Sequence, residues 1–304
     1  MVTVDMDAAY IESKLTDPDW KVRLEWAENT EFKPTPEQVT RGLLDPIESI
    51  NLVWAQRTDY APTPQHADIC LIHKNNRVRL AYAIRIDYTP TPNHIEAGLT
   101  DASAHIRYMW GERKDWTPTP EQVERGLTDP SKGVRRIWAK RMDFVPTAEQ
   151  VERGLQDDFH YVRSTWAERM DWTPTPLQIE RGLTDEDWEV RVAWSQRTDF
   201  TPTPEQIKRG LQDSSWMVRK AWAQRMDFTP TLEQALRGAR ENSIEVASVW
   251  LMRDDIQWPE EQIRIGMQHY NEIMREAWEQ VLRRQIMQSA DTSEDAHSHI
   301  DFSI

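Results

Sequence analysis

The sequence predicts an all-α protein, an α-solenoid of about ten two-helix repeats of 28 residues each. Three observations predict it. Tryptophans at 26, 54, 110, 138, 166, 194, 222, 250 and 278 are spaced by 28 or 56 residues, with Tyr82 on the skipped beat. Glycine keeps the same beat at 42, 98, 126, 154, 182, 210, 238 and 266, with Cys70 in the gap. An Asp-aromatic-x-Pro-Thr phrase returns between them, as in Asp115–Thr119 and Asp143–Thr147. A fixed period of this size marks stacked supersecondary units, none of which buries its apolar face alone.

The second repeat shows the logic of each element. Thr35 is a good N-cap, Pro36 suits the first turn, and Gln38 sits where a capping-box partner belongs. Val39 and Leu43 share a face, so a short helix is predicted over roughly 36–44. Gly42 costs about 1 kcal/mol relative to alanine inside a helix. Its recurrence points to a close approach that accommodates the large tryptophan. Asp45-Pro46 then restarts a helix by the same N-cap-plus-proline rule, and this one is expected to be longer, ending near Thr58. Ile50, Val53 and Trp54 form its buried stripe. Pro62 and Pro64 forbid continuation through the connector. A tryptophan at fixed helical phase beside valine reads as core. Two further columns run through the array, Asp17 to Asp213 before the second helix and Arg57 to Arg253 after it.

The phrase Leu-x-Asp-Pro-x-x-x-Val-Arg, seen at 15–23 and 127–135 and with small changes at 183–191, resembles the second-helix signature of HEAT-like repeats. The resemblance covers roughly residues 8–287 and implies an α-solenoid. It further implies a ladder between the aspartates and arginines of adjacent repeats, with the matching positions at Asp17/Arg23, Asp101/Arg107, Asp129/Arg135, Asp157/Arg163, Asp185/Arg191 and Asp213/Arg219. The 28-residue period is shorter than the usual HEAT unit, and tryptophan stands where that family has a smaller residue. Three segments follow: an N-terminal extension at 1–7, one solenoid domain over 8–287 with the last two repeats divergent as caps, and an acidic tail over 288–304 expected to lack regular structure.

Composition bounds the function. The chain has 304 residues, a net charge of −14 and one cysteine, Cys70. The charge disfavours a broad phosphate-binding surface. A lone cysteine forms no internal disulfide and fits a reducing compartment, so a cytoplasmic location is expected. No apolar run approaches a membrane span, and the first residues lack a secretory signal pattern.

Constant positions build a repeat stack and variable ones carry specificity. The outward stripe of the second helix comprises the columns of residues 20, 24 and 28. Its central column begins Leu24, Leu52, Leu80, Tyr108, an apolar ridge suited to a protein contact. The fifth repeat breaks it with Lys132, Arg136 and Lys140, three cations at i, i+4, i+8. Trp188, Trp216 and Lys220 extend the stripe. The expectation is a non-enzymatic adaptor or inhibitor that binds a protein through this stripe. The alternative is a nucleic-acid-binding solenoid using Lys132, Arg136, Lys140 and Lys220. A glycosylase-like enzyme is a distant third, because tryptophan, aspartate and arginine recur in every repeat rather than in one exceptional unit. No phosphate loop, nucleophile elbow or HExxH motif is present, so no catalytic residue or cofactor is expected. His66-x3-Cys70-x2-His73 is the best metal-like spacing, but reads as drift of the glycine and aspartate columns.

Overall fold

The structure, a computed structural model, describes the backbone of residues 7–297 and the side chains of 7–288. Among the described residues there are twenty helices and no strand. They form two compact units, Met1–Gly154 and Leu155–Ile304. In the first, the second helices α2 (Trp20–Glu28), α4 (Glu48–Gln56), α6 (Asn76–Ala83), α8 (Ala104–Glu112) and α10 (Lys132–Ala139) pack in a row. The first helices α1 (Ala8–Leu15), α3 (Pro36–Leu43), α5 (Pro64–Leu71) and α7 (Pro92–Leu99) make a second layer, with α9 (Pro120–Leu127) packed on α10. The boundary between the units falls at the end of α11 (Ala148–Leu155). In the second unit α12 (His160–Glu168), α14 (Trp188–Ser195), α16 (Trp216–Ala223), α18 (Ile244–Met252) and α20 (Glu272–His297) form the row. The helices α13 (Pro176–Leu183), α15 (Pro204–Gly210), α17 (Leu232–Ala239) and α19 (Glu260–Gly266) each pack on the second helix of their own repeat.

The first helices start as predicted. Thr35 Oγ1 accepts from the Gln38 amide and Gln38 Oε1 accepts from the Thr35 amide, closing a capping box that recurs in the following repeats. The Gln38 side chain also donates to Glu12 of the preceding repeat at 3.1 Å, so the cap doubles as an inter-repeat tie. His66 and His94 replace this glutamine in two repeats. Their Nδ1 atoms accept from the Thr63 and Thr91 amides, which places the ring proton on Nε2. His66 Nε2 then faces the Pro36 carbonyl and Thr40 Oγ1, each at 3.0 Å, and His94 Nε2 faces Asp68 at 2.8 Å.

Two expectations for the second helix are corrected. It is longer than the first by only one residue, α4 having 9 and α3 having 8, and it ends at Gln56 rather than near Thr58. Asp45 is not its N-cap; the helix begins after Ile47. The carboxylate is already taken, by the Ile47 amide at 2.9 Å and by Arg23 of the preceding repeat, whose Nε donates to Oδ2 at 2.7 Å. The aspartate–arginine ladder therefore runs forward from each arginine to the next repeat's aspartate, as in Arg79–Asp101, Arg107–Asp129, Arg163–Asp185 and Arg191–Asp213. Within a repeat the arginine instead donates to the aspartate's backbone carbonyl, as Arg107 does to Asp101 at 2.8 Å. Two rungs are omitted on both sides at once, at Asn51/His73 and at Ala247/His269. Asn51 stands at the arginine position and His73 at the next aspartate, and Asn51 turns back to the Gly42 and Asp45 carbonyls.

The tryptophans are core residues, and the glycines exist for them. A Cβ on Gly42 would lie 2.2 Å from the Trp54 indole, and one on Gly210 would lie 2.1 Å from that of Trp222. Cys70 is tolerated because its partner is the smaller Tyr82, also fully buried.

The column Arg57–Arg253 is the deepest charge in the fold. Arg197 is 1% exposed. Its Nη1 donates to the Ala167 and Arg169 carbonyls at 2.7 and 2.6 Å, its Nη2 to the Trp172 carbonyl at 3.1 Å, and its Nε to Asp199 at 2.9 Å. The guanidinium lies between two indoles, 4.3 Å from the Trp172 ring centroid and 5.4 Å from that of Trp194. The connector phrase is thus explained. Its aspartate orients the arginine two residues earlier, and its aromatic is the platform for the arginine of the next repeat. Where the column reaches Val281, no clamp ends the helix. With no glycine or proline before His297, α20 continues. This corrects the expectation of an irregular tail from residue 288 onward, and residues 298–304 lie outside the described residues.

Replacing Arg197 by methionine strands the carbonyls and carboxylate it serves and is expected to cost about 3 kcal/mol in urea unfolding. Arg209→Met, which breaks only a surface pair with Glu180, is expected to change stability by less than about 1 kcal/mol. Gly210→Cys is expected to destabilise by about 3 kcal/mol through overpacking. Adding Trp222→Tyr recovers part of that loss, a coupling of more than about 1 kcal/mol in a double-mutant cycle. Burial holds the His66 imidazole below its ordinary pKa. The unfolded chain then takes up the proton first on acidification, so this contribution is complete above about pH 6.5 and is lost as pH falls below it. His66→Gln, the residue of the other repeats, should flatten the fall in Tm between about pH 7 and 5 relative to the wild type.

Candidate functional site

The predicted ridge residues Leu24, Leu52, Leu80 and Tyr108 lie on α2, α4, α6 and α8, successive members of one packed row. All four are half-buried rather than exposed, because neighbouring second helices pack along that line. Exposed apolar surface lies one turn further on. Ile84 is 55% exposed and Ile86 is 86% exposed. They flank a groove of about 700 Å³ lined by Leu80, Ala81, Ile84 and Ile86, with Arg77, Arg85 and Asp87 at its margin. The second helix ends here because Arg85 turns inward to the clamp, so the residues on either side of it are pushed outward. The equivalent position in the second unit is a groove of about 490 Å³ between Ala221, Gln224 and Met226. Position therefore sets the groove, and sequence sets how apolar it is.

Lys132, Arg136 and Lys140 share α10 and its C-cap, with Lys132 and Lys140 exposed and Arg136 half-buried. Trp188 and Trp216 are the first residues of α14 and α16, and both are exposed. Lys220 is half-buried one turn later on α16.

His66, Cys70 and His73 do not converge. His66 is spent on the capping box, His73 Nδ1 accepts the Asn75 amide at 3.0 Å, and Cys70 is fully buried. Burial pushes the Cys70 thiol up to about 12, so it is an inert core group. The ligand-like cluster among the described residues is a different one. His160 opens α12, and Asp187 and Glu189 flank Trp188 at the start of α14. One ligand atom from each lies within 4.8 Å of the others. Spacing along the chain hid this group, because the three residues belong to two repeats. In a 28-residue array, however, positions 27 and 29 residues ahead of His160 flank its stacked neighbour, and that rule would have found them.

Residues 205–221, over α15 and most of α16, match a family model described as the HEAT repeat associated with sister chromatid cohesion. No curated protein sequence matches the chain. A solved structure described as a leucine-rich repeat variant with a novel repetitive structural motif is similar in fold. It shares 22% identity over 71% of this chain and 80% of its own, with a TM-score of 0.50. With the clamp, the forward ladder and the two-helix period, these findings establish the chain as a helical repeat protein, one segment of which matches a HEAT-repeat model.

Proposed function

We propose that the protein is a non-enzymatic adaptor or inhibitor that binds another protein through the C-terminal ends of its second helices. The groove at Leu80, Ile84 and Ile86 carries this reading. Its isoleucines turn much of their apolar surface to solvent, Ile86 nearly all of it. A contiguous exposed apolar surface of this kind marks a binding site in a soluble chain. The exposed Arg77 at its margin favours a partner segment that pairs apolar side chains with a carboxylate. Of the half-buried ridge, Leu80 contributes to the groove's lining. A nucleic-acid partner is disfavoured by the net charge of −14.

Ile84→Asp combined with Ile86→Asp should leave Tm within about 2 °C of the wild type, since surface changes rarely exceed about 0.5 kcal/mol. The pair should abolish capture of the partner seen with the wild-type chain in affinity purification and mass spectrometry. Retention of the same partner by the double variant would sink the groove as the contact. Retention that is lost instead in Lys132→Glu with Lys140→Glu, and in rising salt, would point to the basic stretch of α10.

A further inference from the structure

We propose that His160, Asp187 and Glu189 form a binding site for a divalent first-row transition metal of the zinc class. Three observations carry it. First, His160 Nε2 and Glu189 Oε2 are 3.7 Å apart, too far for a hydrogen bond. That distance is close to the separation of roughly 3.3 Å that two donors adopt around one ion at about 2.0–2.1 Å. One ligand atom from each of the three residues lies within 4.8 Å of the others. Second, Glu189 Oε2 is sealed from solvent and accepts no hydrogen bond. An ionised oxygen in that state is costly, and a cation between it and the imidazole removes the cost. Third, the nearby arginines are committed elsewhere by short hydrogen bonds, Arg163 to Asp185 and Arg191 to Asp213.

The ligand set is also mechanically prepared. Asp187 Oδ1 accepts the Glu189 amide at 2.8 Å as the N-cap of α14, which fixes that carboxylate and directs Oδ2 toward His160. The imidazole is held against the Phe159 and Tyr161 rings. One histidine with two carboxylates suits zinc, cobalt or manganese rather than a soft thiolate-seeking ion. The trio is only half-buried, so the remaining coordination positions are open to water or to a side chain brought by a partner. The site would cross-link α12 to α14. It lies beside the exposed Trp188, at the end of the second helices opposite to the groove positions.

The test is calorimetric titration of zinc chloride into the full chain carrying no histidine tag, with thermal unfolding in parallel. The expected result is one zinc per chain, at least tenfold weaker binding in both His160→Gln and Glu189→Gln, and a zinc-dependent rise in Tm that those variants lose. His66→Gln serves as a control and should bind as the wild type does. The proposal is overturned if the wild type takes up no zinc at micromolar concentrations. It is equally overturned if His160→Gln binds like the wild type, which would place any uptake elsewhere, as at His297 and His299.

Discussion

The fold depends on a buried arginine that no repeat uses for itself alone. Arg141 is fully buried, and its guanidinium serves the Gly111, Arg113 and Trp116 carbonyls of the preceding repeat as well as its own Asp143. The preceding second helix ends with carbonyls that have no intrahelical partner. The cation satisfies them and also meets the negative end of that helix. It is desolvated between two aromatic rings, where both its attraction and the penalty for losing it are large. A helix end, a connector and the next repeat are thereby fixed by one side chain. Such a device requires the connector to supply an aspartate, an aromatic and a fixed length. That requirement explains why the period keeps to 28 residues without an insertion.

Much of this was legible in the sequence because repetition acts as an internal control. The glycine and tryptophan columns announce their mutual contact before any coordinates, and the Thr-Pro-x-Gln phrase announces its capping box. What stayed hidden is which copy each polar residue serves. Asp45 reads as an N-cap from its neighbours in sequence, yet its carboxylate belongs to Arg23, 22 residues earlier. The Arg57–Arg253 column is visible as a column, but nothing local reveals that its carbonyl partners lie 25 to 30 residues back. Sequence spacing reports helix faces well. It does not report the offset between adjacent repeats, which is a property of the stack.

The same limit applies to the candidate sites. His66, Cys70 and His73 have a metal-like spacing on paper, but the capping box, the buried contact with Tyr82 and a turn amide each claim one of them. His160, Asp187 and Glu189 share no local pattern and meet only because the stack sets α12 beside α14. The stripe of Leu24, Leu52, Leu80 and Tyr108 was identified as a line, but its depth was not. Half-burial of that line follows from second helices packing directly on one another, and it moves the free apolar surface to Ile84 and Ile86.

The third repeat shows why that displacement matters. It departs from the consensus at several positions, and each buried departure is answered by another. Cys70 in place of glycine is matched by Tyr82 in place of tryptophan. His73 in place of aspartate is matched by Asn51 in place of arginine. His66 in place of glutamine is matched by Thr40 in place of the glutamate found at Glu12, Glu96 and Glu124. Because repeats touch only their neighbours, such compensation stays local and costs the rest of the array nothing. Ile84 is a departure as well, standing where other repeats have Gln56, Glu112 and Gln196, whereas the Ile86 column is also apolar and exposed at Met142, Met170 and Met226. Nothing inside the repeat answers Ile84, since it is turned to solvent. In a repeat whose internal changes have counterparts, Ile84 is the change without one, and the contact proposed for the groove would supply it.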